Sequence, residues 1–102
     1  MRRGIILLFT LFAAAGFVTG AGKLRIVSSL PDYGSIAELI GGDHVEVTSI
    51  AKGYQDPHFV KAKPSFSRLM ADADLFLTTG LDLELWVPTL IDHSRNPNIR
   101  EL

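Results

Sequence analysis

Strand-like and helix-like patterns alternate along most of this chain. Alternating apolar and polar positions predict strands at residues 23–29 and 45–50, and a continuous apolar run predicts a buried third strand at 75–79. Segments with helical spacing separate and follow these strands. The order β-α-β-α-β-α predicts an α/β layer fold with a parallel sheet and right-handed crossovers.

Proline constrains each predicted helix. The first begins at Pro31, and the apolar residues expected to face the core are Tyr33, Ile36, Leu39 and Ile40. The second has Ser65 as its predicted N-cap. The third lies within residues 83–91, where Pro88 requires a late start near Trp86 or a kink.

The N-terminal residues have the pattern of an export signal. Arg2 and Arg3 precede an apolar run at residues 5–18, which is followed by small residues. The run is shorter than the roughly 20 residues that a membrane-spanning helix needs, and no cysteine follows it to carry a lipid. We therefore expect residues 1–21 to be a cleavable signal peptide and residues 22–102 to be the exported part, without a lipid anchor.

Composition restricts the partners of the exported part. Removing Arg2 and Arg3 with the signal changes the formal net charge from −1 to −3, which argues against nucleic acid as a partner. The sequence has no cysteine, so it forms no disulfide and no thiolate metal site. Imidazole and carboxylate groups are then the side chains left to hold a transition metal.

His58 is the main candidate for a metal ligand. It lies in the loop after the second strand, and ligands of open α/β sheets bind at the carboxyl ends of strands. Pro57 stiffens the loop, and a neutral imidazole offers a lone pair to zinc, manganese or iron. Asp56 is a candidate acceptor for the second ring N–H, although residues two apart in an extended loop often point in opposite directions. On spacing alone, an exposed loop histidine without a ligand is the favoured alternative.

The other polar candidates are weaker. Glu84 follows the third strand and either lines a cleft or is a helix-start carboxylate stabilised by the helix dipole. Trp86 is interpreted as a core or packing aromatic. His44 and His93 are interpreted as solvated surface residues.

Six short motifs give residues 23–92 a resemblance to a known family. They are Lys23-Leu24-Arg25-Ile26-Val27, Ile40-Gly41-Gly42-Asp43, Asp56-Pro57-His58, Lys63-Pro64-Ser65, Ala73-Asp74-Leu75 and Gly80-Leu81-Asp82-Leu83-Glu84-Leu85-Trp86. In this order they resemble the N-terminal lobe of the periplasmic metal-binding proteins of zinc and manganese ABC importers, the cluster A-I or zinc-uptake substrate-binding family.

The resemblance implies a two-lobed protein whose α/β lobes are joined by a long helix. His58 would be the first metal ligand, and further histidines with an acidic residue would come from later sequence, so residues 22–102 would be a truncated N-terminal lobe. The implied function is capture of Zn²⁺ or Mn²⁺ in the periplasm and delivery to an ABC permease in the inner membrane, without enzymatic activity. The choice of metal stays open, because nitrogen ligands favour zinc and carboxylates suit manganese.

Two other functional classes remain open at this point. An exported metal-dependent hydrolase would also place histidine and aspartate around a metal, although no residue is an evident general base. An exported interaction domain without a ligand is the third class.

Overall fold

The computed structural model describes residues 22–102, so the predicted signal peptide lies outside the described residues. The elements of the described part are β1 (Leu24–Ser28), α1 (Pro31–Gly41), a 3-10 turn (Gly42–His44), β2 (Val45–Ser49), α2 (Pro64–Ala71), β3 (Leu75–Leu77), α3 (Val87–Ser94) and β4 (Arg100–Glu101). Among these elements, no helix combines the length and the apolar character needed to cross a membrane.

The strands form one parallel sheet in the order β2-β1-β3-β4. This confirms the predicted α/β fold with a parallel sheet. From β1 the chain moves to one side to form β2 and then crosses to the other side to form β3. Helix α1 lies on the face that carries Ser28 and Ser49, and α2 with α3 lies on the face that carries Val27 and Phe76. Right-handed crossovers in opposite directions produce this arrangement. The strand β4 was not predicted, and it extends the sheet beyond β3.

The core lies between the sheet and the helices α2 and α3. Val27 of β1 and Phe76 of β3 are register partners and point to this face. Met70 of α2 and Leu90 of α3 pack against them, and all four side chains are at most 2% exposed. Each such side chain contributes about 2 kcal/mol by leaving water. This packing holds α2 and α3 in place. The loops after β2 and β3 lead directly into the starts of these two helices.

Helix α1 packs differently from the prediction. Its supposed core stripe is largely exposed, with Ile36 at 55%, Leu39 at 86% and Ile40 at 82%. The buried residue of the helix is Gly34, which lies against the hydroxyl groups of Ser28 and Ser49. Because glycine has no side chain, the helix backbone comes close to the sheet at Gly34. The helix therefore contacts the sheet through this glycine, and the apolar stripe is left largely exposed.

An apolar groove of about 590 Å³ runs between α1 and the neighbouring strands. Its lining includes Ile36 and Ile40 from the helix and Leu75 and Leu77 from β3. Only Phe76 of β3 is fully buried, while Leu75 and Leu77 are partly exposed. The prediction that this strand is buried on both faces was therefore wrong.

Proline determines where the later helices begin. Helix α2 starts at Pro64 after the extended residue Lys63, and no side-chain capping bond is present, so the prediction of Ser65 as N-cap was wrong. Pro64 suits this place because the first helical N–H has no intrahelical partner. Helix α3 starts at Val87, so of the two alternatives that Pro88 left open, a late start or a kink, the late start is the correct one.

Candidate metal centre

The loops after β2 and β3 leave the same edge of the sheet, because both strands run parallel to β1. The first loop, residues 50–63, carries Asp56 and His58, and the second, residues 78–86, carries Glu84 and Trp86. The edge is the carboxyl edge, where α/β sheets bind their ligands. The structure therefore brings both predicted motifs to one side of the molecule.

Asp56 and His58 contact each other directly. The Oδ1 atom of Asp56 lies 2.7 Å from Nδ1 of His58 and accepts the backbone N–H of His58 at 3.0 Å. The backbone O of Asp56 also accepts the N–H of Phe59 at 3.1 Å. An aspartate that accepts the N–H two residues ahead forms an Asx turn. The turn bends the loop, so the two side chains meet instead of pointing apart as in an extended segment.

The electrostatics of the pair keep the carboxylate ionised. Hydrogen bonds from the backbone N–H of His58 and then from its ring hold the pKa of Asp56 below its usual value. A charged carboxylate favours the tautomer in which Nδ1–H donates to it, and Nε2 then keeps the lone pair. The imidazole side chain is 46% exposed, so Nε2 belongs to an accessible group that can bind a metal.

One ligand does not complete a metal site. Within residues 22–102, no group of three or more histidine, cysteine, aspartate or glutamate side chains is arranged to hold a metal ion. His44 lies before β2 and His93 in the last turn of α3, both exposed and toward the amino edge of the sheet. The structure does not bring these histidines to His58.

Glu84 is buried, and its carboxylate stabilises the loop after β3. It is 4% exposed, and its carboxylate accepts hydrogen bonds from the hydroxyl of Thr78, the N–H of Thr79 and the N–H of Gly80 at 2.9–3.1 Å. These bonds hold the start of the loop after β3. In this structure the carboxylate is hydrogen-bonded within its own loop. That Glu84 lines a cleft stays a prediction.

Trp86 is buried in the core, and it also makes a contact that the sequence did not predict. The side chain is 7% exposed, and its Nε1–H donates to the backbone O of Pro57 at 2.8 Å. The two residues are 29 positions apart. In the sequence, Trp86 stands out as the single tryptophan and by its position after the third strand. Neither feature indicates which residue its indole N–H contacts.

Comparison with known proteins identifies the family. Residues 26–102 match the family described as zinc-uptake complex component A, periplasmic. The chain belongs to this family. Membership confirms the resemblance stated from the six motifs.

Relatives of this chain carry names for two metals. The manganese-binding lipoprotein MntA of Bacillus subtilis is 38% identical over 92 residues, which covers 82% of this chain and 30% of the relative. The high-affinity zinc uptake system protein ZnuA of Paracoccus denitrificans is 26% identical over 87 residues, covering 85% of this chain and 27% of the relative. The chain thus spans less than a third of the length of either relative.

Solved structures of similar proteins share the fold of this chain. A crystal structure of ZnuA matches with a TM-score of 0.66 and 29% identity, over 76% of this chain and 31% of that one. The periplasmic zinc binding protein TroA of Treponema pallidum matches with a TM-score of 0.70 over 79% of this chain and 29% of that one. At 22% identity, the likeness to TroA supports the fold alone.

Proposed function

We propose that this protein is a metal-ion binding subunit of an ABC importer, which captures zinc or manganese and delivers it to a permease in the inner membrane. It would act by binding and release, without catalysis. Residues 1–21 would direct export and be removed, leaving residues 22–102 as an N-terminal α/β lobe in the periplasm. The sequence contains no cysteine for a lipid anchor, whereas MntA is named a lipoprotein.

The contact between Asp56 and His58 carries this proposal. A metal-bound histidine usually donates its second ring N–H to a carboxylate, which fixes the ring and makes the metal-binding nitrogen more basic. The 2.7 Å contact at Nδ1 supplies this arrangement. It lies at the carboxyl edge of the sheet, where α/β folds generally bind ligands, in a chain whose relatives are named for zinc uptake and manganese binding.

His58 would supply one ligand through Nε2, and the other ligands would come from outside the described residues. A site built from separate parts of a polypeptide releases its ion when those parts move apart. We expect the permease to cause that movement. Zinc and manganese both remain candidates for the cargo, because the ligands that would discriminate between them are not among the residues described.

The test compares two histidine variants of the full-length protein. His58→Ala should weaken zinc and manganese binding by at least about 100-fold, because a ligand is lost. His44→Ala is the matched control, since it removes an exposed histidine near the other edge of the sheet. Affinity is measured by competition with a chromophoric chelator.

Two results would contradict the proposal. If the wild-type protein binds neither metal, the assignment of function is wrong. If His58→Ala and His44→Ala bind metal as tightly as the wild type, the protein binds metal elsewhere and His58 is not a ligand.

A further inference from the structure

The tip of the loop that carries His58 has few attachments to the rest of the molecule. Ala51 and Val60 are buried at the two ends of this loop, while most of residues 52–59 are exposed. Within the tip, Lys52 bonds with Gln55, and Asp56 bonds with His58 and Phe59. These bonds are all internal to the tip and do not fix its position on the sheet.

Among the hydrogen bonds of the described residues, the bond from Trp86 to Pro57 is the one that joins this tip to a distant part of the chain, the loop after β3. The donor is itself firmly placed. Trp86 packs in the core cluster, its backbone O accepts the N–H of Leu90 in the first turn of α3, and Val87 donates to the backbone O of Glu84. The loop tip is therefore tied to a rigid part of the fold.

The acceptor of this bond belongs to the peptide group that connects Pro57 to His58. That peptide group is planar, so fixing its oxygen and its nitrogen fixes its orientation. Trp86 holds the oxygen at 2.8 Å, and Asp56 holds the N–H at 3.0 Å. Both ends of the peptide are thus held by side chains, and the Cα of His58 is placed by this plane.

We propose that Trp86 is a positioning residue for His58, and this inference rests on the proposed role of His58 as a metal ligand. Trp86 sets the place of the peptide, and Asp56 sets the rotation of the ring. A ligand ordered before binding loses less conformational entropy when the metal arrives. Loss of the indole N–H should therefore weaken metal binding although Trp86 does not touch the metal.

The first experiment replaces Trp86 in the full-length protein. Trp86→Phe keeps an apolar ring and removes the N–H, and we expect zinc affinity to fall about tenfold, the lower end for groups that orient a ligand. An isosteric analogue with sulfur in place of the indole N–H, 3-benzothienylalanine, should give the same loss without changing the volume of the side chain. Affinity is read by chelator competition.

The control separates positioning from stability. Met70→Ala removes a side chain that is 0% exposed near the C-terminal end of α2 and that, within the described part of the chain, makes no hydrogen bond to the loop carrying His58. It should lower the melting temperature at least as much as Trp86→Phe and leave zinc affinity unchanged. If Met70→Ala weakens zinc binding as much as Trp86→Phe does, Trp86 acts through general stability and the inference is wrong.

A spectroscopic signature gives a second readout. The sequence contains one tryptophan, and its indole N–H resonance can be identified by its loss in Trp86→Phe. Zinc should shift this resonance in the wild-type protein and not in His58→Ala. The positioning role would be overturned if the benzothienylalanine protein bound zinc as tightly as the wild type. It would also be overturned if zinc did not shift the indole resonance of the wild-type protein. A wild-type protein that binds no metal would instead refute the proposed function.

Discussion

At the scale of single residues, one oxygen of Asp56 makes two hydrogen bonds. Oδ1 accepts both the backbone N–H and the ring Nδ1–H of His58. The first bond makes the turn, and the second orients the imidazole. Asparagine, the neutral isostere of aspartate, is therefore expected to keep the bond that makes the turn and to weaken the bond that orients the imidazole ring.

Asp56→Asn tests the bond to the ring. The amide oxygen can still accept the backbone N–H, but without the negative charge it is a weaker acceptor for the ring and polarises it less. We expect zinc affinity of the full-length protein to fall about tenfold. The free energy of unfolding should change by less than about 0.5 kcal/mol, because the carboxylate is exposed.

The control for this variant is Asp92→Asn, which removes an exposed carboxylate beside His93. It should leave zinc affinity unchanged, as measured by chelator competition, and urea unfolding provides the stability of both variants. Equal affinities for wild type, Asp56→Asn and Asp92→Asn would mean that Asp56 does not orient a metal ligand.

The candidate site was partly predictable at this scale. Pattern and topology made His58 and Asp56 candidates, because their loop follows the carboxyl end of a strand. Spacing alone still favoured an exposed loop histidine, and the resemblance to the family was needed to favour a metal ligand. The bond between Trp86 and Pro57 depends on how α3 and the loop pack together, over 29 positions of sequence. Local pattern carries no information on such a contact.

At the scale of elements, the predictions held where a local pattern is long. β1, β2, α1 and α2 have repeated apolar spacing, and their positions were predicted well. Helix α3 was predicted within residues 83–91, but it spans Val87–Ser94 and so extends beyond the predicted end. β4 has two residues, too few to show any period, and only its pairing with β3 reveals it. The apolar period of α1 correctly predicted a helix. The prediction of its buried face was wrong, because the helix contacts the sheet through Gly34.

Gly34→Ala tests this contact. A Cβ at position 34 would collide with Oγ of Ser49 and approach Oγ of Ser28 to 3.0 Å, so the helix or the two serines must shift. We expect a loss of about 2 kcal/mol in the free energy of unfolding, as for other overpacked sites. Urea denaturation of the full-length protein followed by circular dichroism measures it.

Ser35→Ala is the matched substitution on the exposed side of the same helix. It should be neutral or slightly stabilising, because alanine has the higher helix propensity. A Gly34→Ala protein as stable as the wild type would show that α1 does not rely on close approach at this position.

At the scale of the whole molecule, the two faces of the sheet are covered unequally. The face under α2 and α3 holds the core cluster, whereas the other face has α1 over β1 and β2 and a groove beside β3. The groove is almost entirely apolar, and exposed apolar surface of this kind favours association. Residues 22–102 produced alone should therefore bind hydrophobic dyes and associate with one another.

Ile40→Lys places a charge in that groove and provides the test. Ile40 lines the groove and is 82% exposed, so a lysine can reach water without disturbing the core. For residues 22–102, we expect the variant to bind less anilinonaphthalene sulfonate and to sediment with a smaller average mass than the wild type. Leu81→Lys is the control, because Leu81 is 99% exposed at the carboxyl edge, outside the groove. If both lysine variants reduce dye binding equally, the effect comes from net charge, and the groove is not the surface that drives association.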